Sequence, residues 1–348
     1  MSLSIYFVKP ADTAIAGRNP TFITALEDTA RKMPRVCVAA KPATADVVLI
    51  DERYQYRTWH YADDLSRCAL VRAHADRICV INHDSYARPF LPGLYVSLEK
   101  RRPAFVDTRP IPYKWDLWKV PVPDQFVYRP NRLFTFRGTF HTHPVRKKMC
   151  KALARMPNGL CVELRKAFHT HDEADQRRHI EEIRNACFSL CPRGLSPSSY
   201  RLYESMQLGR CAVIISDDWV PPSGLEWDQL VLFVPEAAIR RLPEILDQRA
   251  VEAEQRGRLA ADAWASTFAG TRRHGYLLEQ VTLLHHTRQQ ELRYLELHRL
   301  WRSAEFRHRY DWTIRARAKQ RLRRTLSAIL QPQVTSQHCR RDCSPTDH

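Results

Sequence analysis

Residues 188–219 read FSLCPRGLSPSSYRLYESMQLGRCAVIISDDW. The apolar run FSLC stops at Pro192. A turn-rich stretch, PRGLSPSS, comes next. YRLYESMQL then keeps helical spacing up to Gly209, and CAVII is a second apolar run. Strand, loop, helix and strand in this order make one βαβ step of a parallel sheet. In open parallel sheets, ligands gather beyond the carboxyl ends of the strands. Pro192-Arg193-Gly194 is the loop at that end. Arg193 offers a cation there, and Gly194 lets a backbone come close to a ligand. Ser196 is placed to cap a helix over Pro197–Leu208, with Pro197 in its first position. The start of that helix points free N–H groups and a positive dipole end to the same place. Ser198 and Ser199 add hydroxyls. The combination predicts an anion site, most naturally for a phosphate. Arg201 and Glu204 lie three apart on one helix face. The arginine suits a pyrophosphate and the glutamate the two hydroxyls of a ribose. The same spacing also describes a surface ion pair worth a few tenths of a kcal/mol.

Outward from this stretch the alternation continues. LFTFRG at 133–138, a helix over Val145–Met156, a strand over Leu160–Leu164 and a helix capped by Asp172 precede it. LVLFV at 230–234 follows it. Nearer the N-terminus, strands are expected at Ser4–Val8, Val36–Ala39, Asp46–Ile50 and Arg77–Ile81. Helices are expected over Pro20–Met33, with Asn19 as N-cap, and over Asp63–His74. Between Arg109 and Arg132, five or more prolines and several bulky aromatics interrupt any regular element. The expected class is α/β, with two Rossmann-like domains facing across a cleft. The expected boundaries are 1–115, a connection at 116–132, 133–270, a basic helical extension at 271–330, and a disordered tail at 331–348.

Bulk properties narrow the function classes. The chain has 348 residues, 44% of them hydrophobic, which is enough for real cores. The N-terminal MSLSIYFVKP lacks the basic and apolar regions of a signal peptide, and no apolar run spans a bilayer. The expected location is therefore cytoplasmic, at most peripheral to a membrane. The ten cysteines include Cys37, Cys79, Cys187 and Cys211 inside apolar runs, as buried free thiols in a reducing compartment would be. His141 and His143, and His169 and His171, read as loop histidines more readily than as metal ligands. The formal charge is +17, and residues 271–330 alone carry a net +9. Such a segment suits an anionic membrane surface, an acidic glycan or nucleic acid. No recognisable nucleic-acid module accompanies it.

Residues 188–208 resemble the signature of the exostosin-type glycosyltransferases, glycosyltransferase family 47, in which F-x-L-C-P-R-G precedes S-x-R-x-x-E-A. GRCAVIISDDWVPP, LVLFVPE, LFTFRG with Arg146, NHD at 82–84 and LPGLYVSLEK at 91–100 resemble further segments of it, bacterial members included. Two departures are Ser196, where many relatives have a glycine, and Ser205 in place of alanine. The resemblance implies the two-domain GT-B architecture and a nucleotide-sugar donor, UDP- or GDP-linked. It also implies inversion at the transferred sugar and no required cofactor or metal. It assigns Arg193, Gly194, Ser198, Ser199 and Arg201 to the diphosphate and Glu204 to the ribose. Arg137 and Arg146 add positive potential, and Gly138 belongs to the same binding set. Asp84, beside His83, is the candidate general base from the opposite half. Asp217, Asp218 and Trp219 follow a strand end and are candidates to face the sugar or acceptor, or simply form a turn. The expected acceptor is a glycan, a lipid-linked glycan or a glycoprotein, as in surface polysaccharide synthesis. The competing expectation is a basic nucleic-acid-binding or non-catalytic glycan-binding protein on the same fold.

Overall fold

The computed structural model describes residues 2–53, 59–85, 88–113, 120–122, 126–164, 172–289 and 292–310. The chain divides into two compact units, Met1–Ser303 and Ala304–His348. The second is described only through its first helix, Ala304–Tyr310. The expected basic helix over 310–330 and the tail at 331–348 otherwise lie outside the described residues.

The first unit holds two parallel sheets. The N-terminal sheet contains β1 (Leu3–Phe7), β2 (Val36–Val38), β3 (Val47–Asp51), β4 (Ile78–Asn82), β5 (Gly93–Tyr95) and β6 (Thr108–Pro110). Their spatial order is β2-β1-β3-β4-β5-β6. The second sheet contains β7 (Arg132–Gly138), β8 (Gly159–Glu163), β9 (Ala186–Pro192), β10 (Cys211–Ile215) and β11 (Val231–Phe233), ordered β11-β10-β9-β7-β8. The strands VVLID, ICVIN and CAVII are buried along their whole length, as helices on both faces require. The α/β class with two Rossmann-like halves is therefore as expected. Each sheet reverses its strand order once, between β1 and β3 and between β7 and β9. Such a reversal opens a crevice at the strand ends.

Helices connect these strands. Between β1 and β2 lies α1 (Pro20–Ala30), and between β3 and β4 lie α2 (His60–Arg67) and α3 (Ala69–His74). The second half adds α4 (Pro144–Leu153), α5 (Glu173–Arg184), α6 (Tyr200–Gln207), α7 (Trp227–Leu230), α8 (Leu242–Arg249) and α9 (Ala253–Ala263). Next come α10 (Arg272–Thr287) and α11 (Tyr294–Arg302), with α12 the helix of the second unit. Asn19 and Asp172 cap α1 and α5 as expected, accepting from the Thr21 and Asp175 N–H groups. His143 caps α4 through Nδ1, which gives that loop histidine a structural role. His169 and His171 lie outside the described residues. The helix expected over 63–74 is broken at Cys68, which leaves the helical region. Cys79, Cys191 and Cys211 are buried, but Cys37 is exposed because β2 is an edge strand.

The largest correction concerns the C-terminal helices. Read as an extension, α10 instead completes the N-terminal half. Its Tyr276, Leu277, Leu278, Val281 and Leu284 are buried in one core with Phe22, Ile23 and Leu26 of α1 and Leu94 of β5. Arg288 donates to the Ile78 carbonyl, at 2.6 Å, and to that of Asp76. On α11, the Tyr294 hydroxyl donates to the Ser66 carbonyl and the Trp301 indole N–H to the Phe90 carbonyl. Helical periodicity identifies the apolar stripe but not which sheet it covers.

Candidate functional site

Strands β7 and β9 end at the reversal point of the second sheet, and two glycines lie there. Gly138 closes β7, and Gly194 follows Pro192-Arg193 after β9. A Cβ at Gly138 would stand 3.3 Å from an Arg201 nitrogen, and one at Gly194 would stand 2.7 Å from an Arg146 nitrogen. The missing side chains leave room for these two guanidinium groups. Arg146 comes from the first turn of α4. It donates from Nε to the Arg193 carbonyl and from Nη1 to the Thr139 carbonyl, both at 3.0 Å. Arg201 comes from the first turn of α6 and donates to the Arg137 carbonyl. Both cations lie over the ring of Phe136, with Arg201 at 4.7 Å and Arg146 at 5.8 Å from its centroid. Among the described residues neither is paired with a carboxylate. Burial lowers the Arg146 guanidinium to about 10, and the charge of Arg201 pushes it the same way. Two neighbouring cations, one buried and one half-buried, with no carboxylate partner among the described residues, have the chemistry to attract an anion.

The other expected cations are already compensated. Arg193 is buried, and its Nη1 donates to Asp218 at 2.6 Å while Nη2 reaches Glu99 at 3.4 Å and Glu236 lies 3.9 Å away. Arg137 makes a two-point pair with Glu182, with its Nε 2.7 Å from the carboxylate, which raises the guanidinium further. Neither is presented to a ligand as a lone positive charge.

The turn LSPSS differs from expectation. Helix α6 begins at Tyr200, not Pro197, and Ser199 is its N-cap residue without a side-chain capping bond. Ser196 caps nothing. Its Oγ accepts the Ser198 N–H at 3.1 Å, and its carbonyl accepts the Gly194 N–H. This tight turn delays the helix by three residues. Ser198 is buried in it and Ser199 half-buried. Glu204 is buried on α6, with Oε2 3.3 Å from Nε2 of His179 on α5.

Of the two expectations for Asp217-Asp218-Trp219, the structure shows the turn. Trp219 is buried, stacked on Phe233 and edge-on to Trp227. It bridges to Glu99 of the N-terminal half, and the Asp218 carbonyl accepts the Lys100 N–H. Asp218 faces Arg193 and Arg101, and Asp217 caps the Glu236 N–H. The segment is one of the contacts between the halves. Its aromatic ring is too buried, and its Asp218 carboxylate too committed, to meet a sugar.

Across from the arginine pair, His83 and Asp84 follow β4 and are buried. Asp84 is set by its N–H, which donates to Asn82 Oδ1. Asn82 and Tyr61 both donate to the buried carboxylate of Glu52. His83 lies 3.8 Å from Asp51 at the reversal point of the first sheet. Three residues that the sequence did not single out join this place to the donor-side loop. Ser97 receives the Ser196 hydroxyl at 2.9 Å, and its own hydroxyl donates to the Ser85 carbonyl at 3.0 Å. Tyr113 stacks on Tyr200 with centroids 3.8 Å apart, and its hydroxyl lies 3.4 Å from that of Ser85. Burial raises this phenol, and the charges of Asp84 and Arg146 both reach it. Tyr113 thus stands between the candidate base and the arginine pair.

Residues 102–248 match the family model of the Exostosin GT47 domain. That stretch of the chain is similar to the exostosin GT47 domain. The matched region ends one residue before the end of α8, so it includes both arginines, both glycines and Glu204. Over 78 residues the chain is 33% identical to an exostosin-1 homologue of Caenorhabditis elegans, covering 22% of this chain and 20% of that protein. Over 70 residues it is 40% identical to a probable glucuronosyltransferase of Oryza sativa subsp. japonica, covering 20% and 16%. The chain thus spans a fifth or less of the length of these relatives. Among solved structures, TarM aligns over 77% of this chain and 59% of its own, at a TM-score of 0.39 and 8% identity. MurG of Acinetobacter baumannii aligns over 77% and 80%, at 0.29 and 10%.

Proposed function

We propose that the GT47 domain moves a sugar from a nucleotide sugar to a glycan acceptor. The observation that carries this reading is the pair of Arg201, buried, and Arg146, half-buried, at the β7/β9 crevice, with no carboxylate partner among the described residues and with glycine on either side. Their donors and charges suit a diphosphate, and they supply its countercharge as it departs. Glu204, three residues along α6 from Arg201, is assigned to the ribose. Asp84 is assigned as the base. The acceptor hydroxyl oxygen bonds to the anomeric carbon as the carbon–oxygen bond to the diphosphate breaks, and Asp84 takes the proton. Attack opposite the leaving group inverts that carbon. The charge removed by the arginines is the charge a metal would otherwise neutralise, so no metal or cofactor is assigned.

The acceptor is assigned to the glycan class, lipid-linked or protein-linked forms included, as surface polysaccharide synthesis would need. No helix among the described residues is long and apolar enough to cross a membrane. The outer side of α11 exposes Leu295, Arg299 and Arg302, which suits contact with an anionic membrane surface from the cytoplasmic side. A panel of nucleotides and nucleotide sugars in a thermal-shift assay tests the transferase reading. UDP or GDP should raise Tm, and Arg201→Ala should remove the shift. No shift with any nucleotide at millimolar concentration, alongside tight DNA binding, would sink it.

A further inference from the structure

One chain of hydrogen bonds between the halves runs in a single direction. The Ser198 N–H donates to Ser196 Oγ, Ser196 donates to Ser97 Oγ, and Ser97 donates to the Ser85 carbonyl. All three bonds are 2.9–3.1 Å long. Bonds aligned head to tail polarise one another, and in a buried setting each resists being broken alone. Ser97, Ser196 and Ser198 are all buried. One end of the chain is the loop that leads from Gly194 to Arg201. The other end is Ser85, next to Asp84. A second link runs beside it, from Tyr200 through its stack with Tyr113 to the Ser85 hydroxyl. Tyr200 is the residue before Arg201. Both links therefore join the two residues that flank the anion site to the residue after the candidate base.

We propose that Ser97, Ser196 and Tyr113 are positioning residues that couple occupancy of the Arg146–Arg201 site to the placement of Asp84. This rests on the nucleotide-sugar reading above. An anion that seats against Gly194 and draws Arg201 toward it tightens the turn at 194–199. The serine chain and the tyrosine stack pass that constraint to residues 83–85. The base is then held more firmly while a donor is bound, which limits transfer of the sugar to water.

Hydrogen exchange on the full chain, with and without saturating UDP or GDP, tests this. In the wild type, nucleotide should slow exchange in 83–85 and its flanking peptide by about fivefold or more, a typical size for coupled sites. In Ser97→Ala that protection should fall to near nothing, while nucleotide affinity by calorimetry stays within about threefold. Tyr113→Phe keeps the stack and removes the hydroxyl. It should lose part of the protection, and it serves where Ser97→Ala folds poorly. Protection that persists in both variants overturns the coupling and leaves the nucleotide reading standing. A merely structural role shows as faster exchange in the free variants with an unchanged response to nucleotide, and that result overturns it too. Wild-type protein that binds neither nucleotide overturns the nucleotide reading and the coupling together.

Discussion

Arg193 and Arg201 lie eight positions apart, both buried and both on the same side of the second sheet. Their surroundings make them opposites. Arg193 is enclosed by Asp218, Glu99 and Glu236, and its charge is spent on holding the halves together. Arg201 meets a carbonyl, an aromatic face and another arginine. A signature that reads P-R-G and S-x-R-x-x-E gives both residues the same chemistry. The carboxylates that tell them apart arrive from elsewhere, Glu99 from the other half.

This contrast can be broken by substitution. The largest effect is expected for Arg193→Ala. Removing it takes the buried cation away from Asp218 and Glu99 and leaves them only Arg101 and Arg102, which should cost about 3–5 kcal/mol in urea unfolding. Folded protein should still bind UDP or GDP; a stable variant that no longer binds would instead return Arg193 to the ligand site. Arg201→Ala should do the reverse. Calorimetry should show about a 10- to 100-fold loss of nucleotide affinity, the size of a lost charge-assisted bond. Stability without ligand should hold or rise, because a strained like-charge pair is relieved.

Gly194→Ala sharpens the point with less force. The new methyl would stand 2.7 Å from Arg146 and must push that guanidinium aside. A loss of about 1 kcal/mol in nucleotide binding is expected, with a smaller change in Tm. The smallest effect belongs to Glu99→Gln. Burial raises this carboxyl above its ordinary value of 4.5, with Arg102 and Arg193 opposing the rise. The native state then holds the proton more tightly than the unfolded chain does. This group favours the fold below its ordinary value, and that contribution is lost as pH climbs through the raised native one. Glu99→Gln should flatten this part of the stability-versus-pH curve and stay within about 1 kcal/mol of wild type at neutral pH. A steeper curve in the variant would show that the carboxylate, not its burial, dominates there.

What was legible in the sequence was local. FSLC and CAVII announce their strands because a buried parallel strand is apolar throughout. Asn19 and Asp172 announce their helices because a cap is a one-residue chemistry. Arg146, Gly138, Arg201 and Glu204 were recoverable from the family signature. The start of α6 was misread because serine and proline favour both a cap and a tight turn, and the choice is made by Ser97, far away in sequence. Ser97 and Tyr113 carried no signal, since a lone serine or tyrosine is ordinary until the opposite half is placed. Trp219, a candidate to face the sugar because it follows a strand end, is instead closed over by Phe233 and Trp227.

The return of α10 to the N-terminal half has a consequence for how the protein is made. Strand β6 ends at Pro110, but the residues that finish the face beside α1 begin at Tyr276. During synthesis the first half must wait, with apolar surface bare, while the whole second half emerges. The half that is translated first is thus completed last. A cut between the halves would separate neither cleanly, because one of them is written in two places along the chain.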